Sequence, residues 1–328
     1  MVGNKKVINW GIIGCGDVTE VKSGPPYKLT NGFNLKAVMR RDEDKLKDYA
    51  TRHQIETYYT NADDLINDPT IDAVYIATPP DTHKFYGLKV AKAKKVCCIE
   101  KPLSPSYADS LVVYNAFKET NTPLFVAYYR RSLPRFLKIK EWLDDGFIGD
   151  VRHVSWQLNK YPCDKDLSGD YNWRTDAKVA NGGYFDDLAS HGLDLFTYLL
   201  GNIKDVKGIS LNQQHLYTAN DAITACWVHD NGITGSGTWN FGCSTYDDKV
   251  IIYGSKGHIE FPIFKDEFVI LESNTKTESL FIENPKHVQM YHVENLKTAL
   301  FSPEFTHPST GETALHTSWV MDKILGKI

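Results

Sequence analysis

The amino-terminal part of the chain alternates short apolar runs with stretches of helical periodicity. The apolar, β-rich runs are Val7–Ile13, Leu35–Arg40, Ala73–Thr78, Val96–Glu100 and Leu124–Tyr129. The helix-like stretches between them are Glu43–His53, Ala62–Asn67, Lys84–Lys94 and Tyr107–Thr120. Strands that alternate with helices indicate βαβ units, and strands that are apolar along their length indicate a parallel sheet buried on both faces. The sequence therefore predicts a doubly wound α/β domain over residues 1–127.

Residues 128–328 have a different order of elements. Their helices are predicted near Phe136–Asp145, Tyr184–Leu200, Val288–Leu300 and Ser309–Leu325. Gly201 is placed as the C-cap of the long second helix. Two hairpin patterns follow it, one with Asn231-Gly232 suited to a type I′ turn and one turning at residues 255–257. Consecutive hairpins predict an α+β domain with a large open, mainly antiparallel sheet.

One face of that sheet needs a cover. Trp227, Trp239 and Phe241 would either fill the core of the domain itself or meet a second subunit, and the sequence favours neither. We expect a homodimer or homotetramer that forms through the carboxyl-terminal sheet.

Composition narrows the class of protein. The chain has 328 residues, which favours two domains, with 42% hydrophobic and 24% charged residues and a net charge of −4. These values give no electrostatic reason to expect binding to nucleic acid or to a membrane. The six cysteines include no C-x-x-C and no pairing with His at zinc spacing, so neither a metal site nor a disulfide framework is predicted. The start "MVGNKKVINW" lacks the apolar core of a signal peptide, and we expect a cytoplasmic protein with reduced thiols.

A glycine-rich loop follows the first apolar run. Its backbone could close on a pyrophosphate, although a plain βα turn is the alternative. The residues predicted to bind a cofactor here are Gly11, Gly14, Cys15, Gly16, Asp17 and Val18. The glycine spacing is G-x-x-G-x-G, with Thr19 where the dinucleotide fingerprint has a third small residue. The next segment, "TEVKSGPP", predicts a short turn at Asp17–Val21 and then a helix that begins at Ser23 or Gly24, with Pro25 near its first position.

The second predicted strand ends in Arg40 and Arg41, where an NAD enzyme carries an acidic residue. Arginine at this position suits the 2′-phosphate of NADP. The alternative is that both arginines are solvated and precede a helix whose N-cap is Asp42. We favour NADP(H), and Asp42 leaves NAD(H) open.

Two further segments, "ATPPDTH" (77–83) and "EKP" (100–102), lie at the carboxyl ends of predicted parallel strands, where ligands bind in open α/β sheets. Lys101 at such an edge would be suited to proton chemistry, although a single lysine is more often a surface residue. Asp187 and His191 are four residues apart on a predicted helix, so a carboxylate and an imidazole share one face. A purely structural pair is one alternative. A metal site is another, although no second His or Cys lies at ligand spacing.

Taken together, "GIIGCGDV", "ATPPDTH", "EKP" and "GGYFDDLASHGLD" make the sequence similar to the glucose–fructose oxidoreductase and inositol dehydrogenase family (Gfo/Idh/MocA) over nearly its whole length. The resemblance implies an NAD(P)-binding Rossmann domain at 1–127 and a substrate-binding and oligomerisation domain at 128–328. The sequence departs from the family pattern at Thr19, Asn181 and "VKSGPP". These departures bear on the shape of the glycine loop and on the binding of the adenine more than on the residues implied for hydride and proton transfer.

The resemblance also implies residue roles. Lys101 would contact the reacting oxygen and the nicotinamide ribose, His191 would transfer the proton, and Asp187 would orient His191 or bind a substrate hydroxyl. For the cofactor the resemblance also implies Glu100, and it places Thr78, Pro79 and His83 along the nicotinamide ribose. For the substrate it implies Tyr129, Arg130, Trp173 and Arg174.

The expected activity is hydride transfer between NADP(H) and a sugar, a polyol or a related hydroxy or keto compound. Two alternatives stay open: an enzyme that resembles dihydrodiol dehydrogenase or a dicarbonyl reductase, and a catalytically silent, cofactor-binding sensor on the same fold. The presence of Lys101, Asp187 and His191 argues against the sensor.

Overall fold

The computed structural model describes residues 6–328. The first half of "MVGNKKVINW", the segment used to predict that no signal peptide is present, lies outside the described residues. The helices are α1 Asp17–Val21, α2 Gly24–Leu29, α3 Glu43–His53, α4 Ala62–Asn67, α5 His83–Lys92, α6 Tyr107–Glu119, α7 Pro134–Asp144, α8 Asp164–Ser168, α9 Tyr184–Leu200, α10 Met290–Phe301 and α11 Gly311–Ile324. The strands are β1 Ile8–Ile13, β2 Phe33–Met39, β3 Thr57–Tyr59, β4 Ala73–Ile76, β5 Val96–Ile99, β6 Leu124–Val126, β7 Val151–Asn159, β8 Ile203–Leu211, β9 Ala222–His229, β10 Thr234–Asn240, β11 Asp247–Gly254, β12 Gly257–Phe261, β13 Val269–Ser273 and β14 Thr277–Leu280.

The chain divides into two compact units. The first contains Met1–Leu133 and Pro285–Leu315, and the second contains Pro134–Asn284 and His316–Ile328. The boundary expected at residue 127 therefore differs from the structure in one main respect. The segment 285–315, assigned from the sequence to the second domain, packs with the first unit, because α10 buries Val293 and Leu296 in its core.

The first unit contains a six-stranded parallel sheet in the order β3-β2-β1-β4-β5-β6, which confirms the doubly wound α/β prediction. The short edge strand β3 was not predicted. Its three residues are only half-buried or exposed, so they lack the continuous apolar pattern of the central strands. All four residues of β4 and of β5 are buried, as expected for strands covered on both faces.

The helix that follows β1 is interrupted, as the prolines indicated. The five-residue α1 ends at Val21, Ser23 is the N-cap of α2, and Pro25 lies in the first turn of α2. A Cβ on Gly24 would lie 2.2 Å from the carbonyl oxygen of Thr19, so the close approach of the two helices requires glycine there. The prediction of a short turn followed by a second helix is confirmed.

The second unit contains an eight-stranded sheet in the order β14-β13-β12-β11-β7-β10-β9-β8. Its pairings are antiparallel except for β7 with β10, in agreement with a mainly antiparallel sheet. Trp227, Trp239 and Phe241 are buried, so they fill the core of this unit rather than an open face. A Cβ on Gly192 of α9 would lie 2.4 Å from the Trp156 ring, so α9 packs closely against the sheet.

The turn between β9 and β10 differs from the prediction. Gly232 has φ of 88°, but Asn231 is not among the residues with positive φ, whereas a type I′ turn requires positive φ at both central positions. Four residues separate the two strands, and the amide of His229 donates to the carbonyl of Ile233. The longer connection removes the need for a left-handed conformation at Asn231.

Within residues 6–328, no helix is both long and apolar enough to cross a membrane. The same part of the chain contains no group of three or more His, Cys, Asp or Glu side chains that could hold a metal ion.

Candidate active site

The glycine loop joins β1 to α1 in the first unit. Gly14 has φ of 93°, and its amide donates to the carbonyl of Met39 at 2.9 Å. A Cβ at Gly14 would lie 2.6 Å from Thr78 Cγ2, so the loop approaches the end of β4 only because this residue is glycine. A Cβ at Gly16, by contrast, would have no heavy atom within 4 Å. Open space beside a backbone that turns into a helix fits a phosphate group.

Two residues that were predicted to bind the cofactor at this loop have other surroundings. Gly11 is inside β1, and a Cβ there would lie 2.7 Å from Leu65 Cδ2, so this glycine allows helix α4 to pack on the sheet. The predicted cofactor contact of Gly11 does not fit that position. Cys15 is fully buried, its Sγ faces the Met39 carbonyl, and burial raises the pKa of its thiol to about 11. The Cys15 thiol therefore faces away from the open side of the loop, and only the backbone of this residue could contact a cofactor there.

The arginines after β2 have different surroundings. Arg40 Nη1 donates to the carbonyl of Cys15 at 2.9 Å, which places this guanidinium at the glycine loop, whereas Arg41 is exposed. Asp42 is the N-cap of α3: its Oδ1 accepts the Lys45 amide at 3.1 Å and its Oδ2 lies 3.2 Å from Lys45 Nζ. The carboxylate that left NAD(H) open is therefore engaged by its own helix.

The end of β4 is held by internal hydrogen bonds. Thr78 Oγ1 accepts from Thr82 Oγ1 at 2.7 Å, and Pro79 is exposed beside it. His83 is completely buried, with Nδ1 2.8 Å from the Pro102 carbonyl and Nε2 2.8 Å from the Thr78 carbonyl. Burial lowers the pKa of His83. The ring lies between the carbonyls that follow β4 and β5, and in its neutral form it donates to one of the two. The predicted contact of His83 with the nicotinamide ribose does not fit a ring that faces inward.

The "EKP" segment directly follows β5. Glu100 is buried, and its Oε1 accepts the Tyr75 hydroxyl at 2.5 Å and Gln289 Nε2 at 2.6 Å. Its Oε2 accepts the amide of Lys101 at 3.2 Å. Lys101 is half-buried and is followed by a cis peptide bond to Pro102. The backbone of Lys101, at the carboxyl edge of the parallel sheet, is therefore hydrogen-bonded to a carboxylate that Tyr75 and Gln289 also hold.

In the second unit, α9 carries the other predicted catalytic side chains. Gly183, with φ of 63°, is its N-cap, and a Cβ there would lie 2.5 Å from the carbonyl oxygen of Asn220. Asp186 accepts the amide of Gly182 at 2.9 Å, and burial raises the pKa of this carboxyl to about 6. The double glycine thus begins the helix in a position too crowded for a side chain.

Asp187 and Arg174 form an ion pair, with Arg174 Nε 2.7 Å from Asp187 Oδ2. The guanidinium carbon of Arg174 lies 4.4 Å from the centre of the Trp173 ring. The pair expected to line the substrate pocket is therefore joined to the acidic residue of the signature. His191 is 5% exposed and packs edge-on against Phe264, with ring centres 5.9 Å apart.

Tyr129 and Arg130 form a 3-10 turn after β6 in the first unit. The guanidinium of Arg130 lies 5.0 Å from the centre of the Tyr129 ring, and Arg130 is 7% exposed. Their predicted role in substrate binding stays a prediction.

Sequence reasoning missed two residues of the Glu100 network. Tyr75 lies in a strand that is uniformly buried, where periodicity alone does not distinguish a core ring from a functional hydroxyl. Gln289 precedes α10, far from any recognised motif, and no local pattern predicts its contact with Glu100.

Two family models match the chain. Residues 8–128 match the oxidoreductase family, NAD-binding Rossmann fold, and residues 136–260 match the GFO/IDH/MocA C-terminal domain. The first match covers the glycine loop and Lys101, and the second covers Asp187 and His191.

Individual relatives support the same assignment. Oxidoreductase P35 of Formosa agariphila is 37% identical over 320 residues, which are 97% of this chain and 98% of that protein. Myo-inositol 2-dehydrogenase of Thermotoga maritima is 29% identical over 270 residues, 80% of this chain and 77% of that protein. The solved structure of a levoglucosan dehydrogenase in complex with NADH and levoglucosan has a TM-score of 0.83 at 20% identity, covering 97% of this chain and 96% of that one, which shows a shared fold. With both domains matched in order and one relative aligned along almost its whole length, the chain belongs to the Gfo/Idh/MocA family of NAD-binding oxidoreductases.

Proposed function

We propose that this protein transfers a hydride between a nicotinamide cofactor, with NADP(H) preferred, and a sugar-like alcohol or its ketone. The observation that carries the proposal is the position of Lys101, which directly follows β5 at the carboxyl edge of the parallel sheet and hydrogen-bonds to Glu100 through its amide. Relatives named as myo-inositol and levoglucosan dehydrogenases support the substrate class.

The residues of the first unit fit a dinucleotide. The space beside Gly16 and the guanidinium of Arg40 at the loop suit phosphate groups, and Thr78 and Lys101 end neighbouring strands of the sheet. When bound, the nicotinamide supplies the hydride acceptor for oxidation and the hydride donor for reduction.

The chain's own residues handle the proton. In the oxidation direction the His191 imidazole accepts the hydroxyl proton, and in reduction it returns that proton to the oxygen. The Lys101 ammonium donates a hydrogen bond to the reacting oxygen. Asp187, paired with Arg174, offers a carboxylate for a substrate hydroxyl.

The test is a panel of sugars, polyols, dicarbonyls and aromatic diols, followed by the absorbance of NADPH and NADH. For the best substrate we expect Lys101→Met and His191→Asn each to lower kcat about 10²- to 10⁴-fold. The matched controls are Lys118→Met and His215→Asn, at exposed positions, and they should retain full turnover. Wild-type turnover in His191→Asn refutes its role, and dinucleotide binding without turnover on any compound supports a sensor instead.

The preference for NADP(H) rests on Arg40 and on the engagement of Asp42 in its cap. Arg40→Ser is expected to weaken NADPH binding at least tenfold and to leave NADH binding within about twofold, because only NADPH carries the 2′-phosphate. Fluorescence titration of both cofactors gives the two dissociation constants. Tighter binding of NADH than of NADPH by the wild type contradicts the preference.

We also propose that the exposed face of the eight-stranded sheet forms a contact between copies of the chain. Burial alternates along β11, so one face is covered and the other carries Tyr253, which is 42% exposed. Sedimentation velocity tests this proposal. Tyr253→Asp should lower the oligomeric state, Leu137→Asp on α7 should not, and a wild-type monomer excludes the contact.

A further inference from the structure

The two oxygens of Glu100 have different partners. Oε1 accepts two hydrogen bonds, from the Tyr75 hydroxyl at 2.5 Å and from Gln289 Nε2 at 2.6 Å. Oε2 accepts the Lys101 amide at 3.2 Å. A carboxylate oxygen accepts about two hydrogen bonds, so Oε1 is filled and Oε2 keeps room for one more donor.

The side-chain amide of Gln289 can hydrogen-bond to Glu100 in only one of its two orientations. A carboxylate only accepts hydrogen bonds, so the amide must turn its NH₂ group toward Glu100. That orientation leaves Gln289 Oε1 buried without a hydrogen-bond partner among residues 6–328. An orphaned buried acceptor is unfavourable, and such groups are rare in folded proteins. The hydrogen bond to Glu100 therefore leaves the carbonyl oxygen of the Gln289 side chain without a partner.

The break between α1 and α2 is what brings Gln289 to this place. The backbone N–H of Gln289 donates to the carbonyl of Lys22 at 3.2 Å, and His287 Nδ1 lies 2.5 Å from the carbonyl of Val21. These carbonyls at the end of α1 are available because the helix stops at Val21. The segment before α10 therefore docks on the break itself.

Tyr75 is supported from the same side. The Tyr27 ring of α2 stacks on the Tyr75 ring with centres 4.8 Å apart, and both rings are fully buried. Burial raises the pKa of Tyr75 well above its ordinary value, so its hydroxyl stays a hydrogen-bond donor. Both donors to Glu100 Oε1 thus depend on the interrupted helix.

We propose that Gln289 and Tyr75 are positioning residues that hold Glu100 Oε1, so that Oε2 anchors the Lys101 backbone and accepts one hydroxyl of the cofactor. The inference rests on the proposed function for the identity of that hydroxyl. The interrupted α1–α2 connection, which departs from the family's loop pattern, serves as the docking point for this pair.

The experiment measures dissociation constants for NADPH and NADH by fluorescence, with no substrate present. Gln289→Met keeps the length of the side chain but removes the donor, and it should weaken cofactor binding about tenfold. The matched control is Asn295→Leu on α10, which loses the bond from Asn295 Nδ2 to Ser132 Oγ and should bind within twofold of wild type. Tyr75→Phe should weaken cofactor binding about as much as Gln289→Met does. Its control is Tyr59→Phe, because the Tyr59 hydroxyl donates to Asp68 and not to Glu100.

A second measurement needs no cofactor. Gln289→Glu places a carboxylate beside Glu100 Oε1, where two negative charges repel unless one is protonated. The melting temperature of this variant, relative to wild type, should be depressed at pH 8 and recover as the pH falls toward 5. A defect in stability that does not vary with pH contradicts the direct pairing of Gln289 with Glu100.

The outcomes separate the two proposals. If wild type binds neither dinucleotide, the proposed function fails and this inference fails with it. If wild type binds but Gln289→Met and Tyr75→Phe bind equally well, the inference alone is overturned, and any loss of melting temperature shared with Asn295→Leu identifies a merely structural role.

Discussion

Gly14 and Gly16 lie two residues apart in one loop, yet only Gly14 has surroundings that exclude a side chain. At Gly14 the backbone is left-handed and Thr78 occupies the space where a side chain would be. At Gly16 the backbone has ordinary φ and the space is open. The first glycine is required by the fold, and the proposed function predicts that the second leaves space for a phosphate group of the cofactor.

The two alanine variants should separate these requirements. Gly14→Ala adds a Cβ at 2.6 Å from Thr78 Cγ2 and forces a residue other than glycine to φ of 93°, so we expect a loss of about 2 kcal/mol in unfolding free energy. Gly16→Ala should unfold like wild type but bind NADPH at least tenfold more weakly. Thermal unfolding and fluorescence titration measure the two effects. Unchanged NADPH binding by a folded Gly16→Ala protein would show that the open space is not a phosphate site.

At the scale of elements, the short helix α1 is tied to α3 by one carboxylate. Glu20 accepts from Arg52 Nη1 and Nη2, both at 2.8 Å, and lies 2.8 Å from His53 Nε2. These contacts, led by the hydrogen bonds from Arg52, lower the pKa of Glu20 to about 2. A five-residue helix has little stability of its own, so a contact with the next helix holds it in place.

Glu20→Gln is expected to lower the unfolding free energy at pH 7 by about 1 kcal/mol, a value reduced for the partial exposure of the pair. Because the folded pKa lies below the unfolded one, this contribution is present above pH 4.5 and disappears as the pH falls toward 2. Urea denaturation of both proteins from pH 7 to pH 3 measures it. Asp48→Asn, which removes a more exposed partner of Arg52, is the control and should cost less than half as much. A difference between wild type and Glu20→Gln that is constant over this range would exclude the ionised pair as its cause.

At the scale of the whole molecule, the first unit is assembled from two segments that are distant in the sequence. The segment Pro285–Leu315 returns to it after residues 134–284, which belong to the second unit. Its helix α10 places Val293 and Leu296 in the same buried cluster as Trp10 and Tyr27. The stability of the nucleotide-binding unit therefore depends on residues that are separated from the rest of it by most of the second unit.

Leu296→Ala tests this dependence. Leu296 is fully buried, and its truncation should cost about 2–5 kcal/mol in unfolding free energy and lower the fraction of protein able to bind a dinucleotide. Leu137→Ala, at a position 43% exposed in α7, should change stability by less than about 0.5 kcal/mol. Chemical denaturation followed by tryptophan fluorescence compares the two variants. Equal stability of wild type and Leu296→Ala would show that the returning helix adds nothing to the core.

Much of this architecture follows from local pattern. Strands such as β4 and β5 are recognisable because every residue is buried and apolar or small, and α9 has the predicted bounds because the double glycine and Gly201 delimit it. Lys101, Asp187 and His191 were found because each lies in a short motif. Periodicity is a property of neighbouring residues, so it is readable without the fold.

Other features depend on contacts between residues that are distant in the sequence. Gly11 was grouped with the loop glycines because it is close to them in the sequence, and the structure shows that it lies inside β1 and packs on Leu65. The inward orientation of His83 is decided by two carbonyls, at Thr78 and Pro102. The contact of Gln289 with Glu100 joins residues 189 positions apart, and no local pattern encodes it.

The amino-acid sequence alone was therefore enough to establish the two domain types, the cofactor edge of the parallel sheet and the residues expected to carry the chemistry. The tertiary structure decided which glycines face open space and which face a side chain. It also decided that the chain returns through α10 to complete the first unit, and that the segment before α10 docks on the interrupted α1–α2 connection. The physical reason is that hydrophobic periodicity and turn chemistry act between near neighbours, whereas close packing and the pairing of buried polar groups are settled only when distant segments meet.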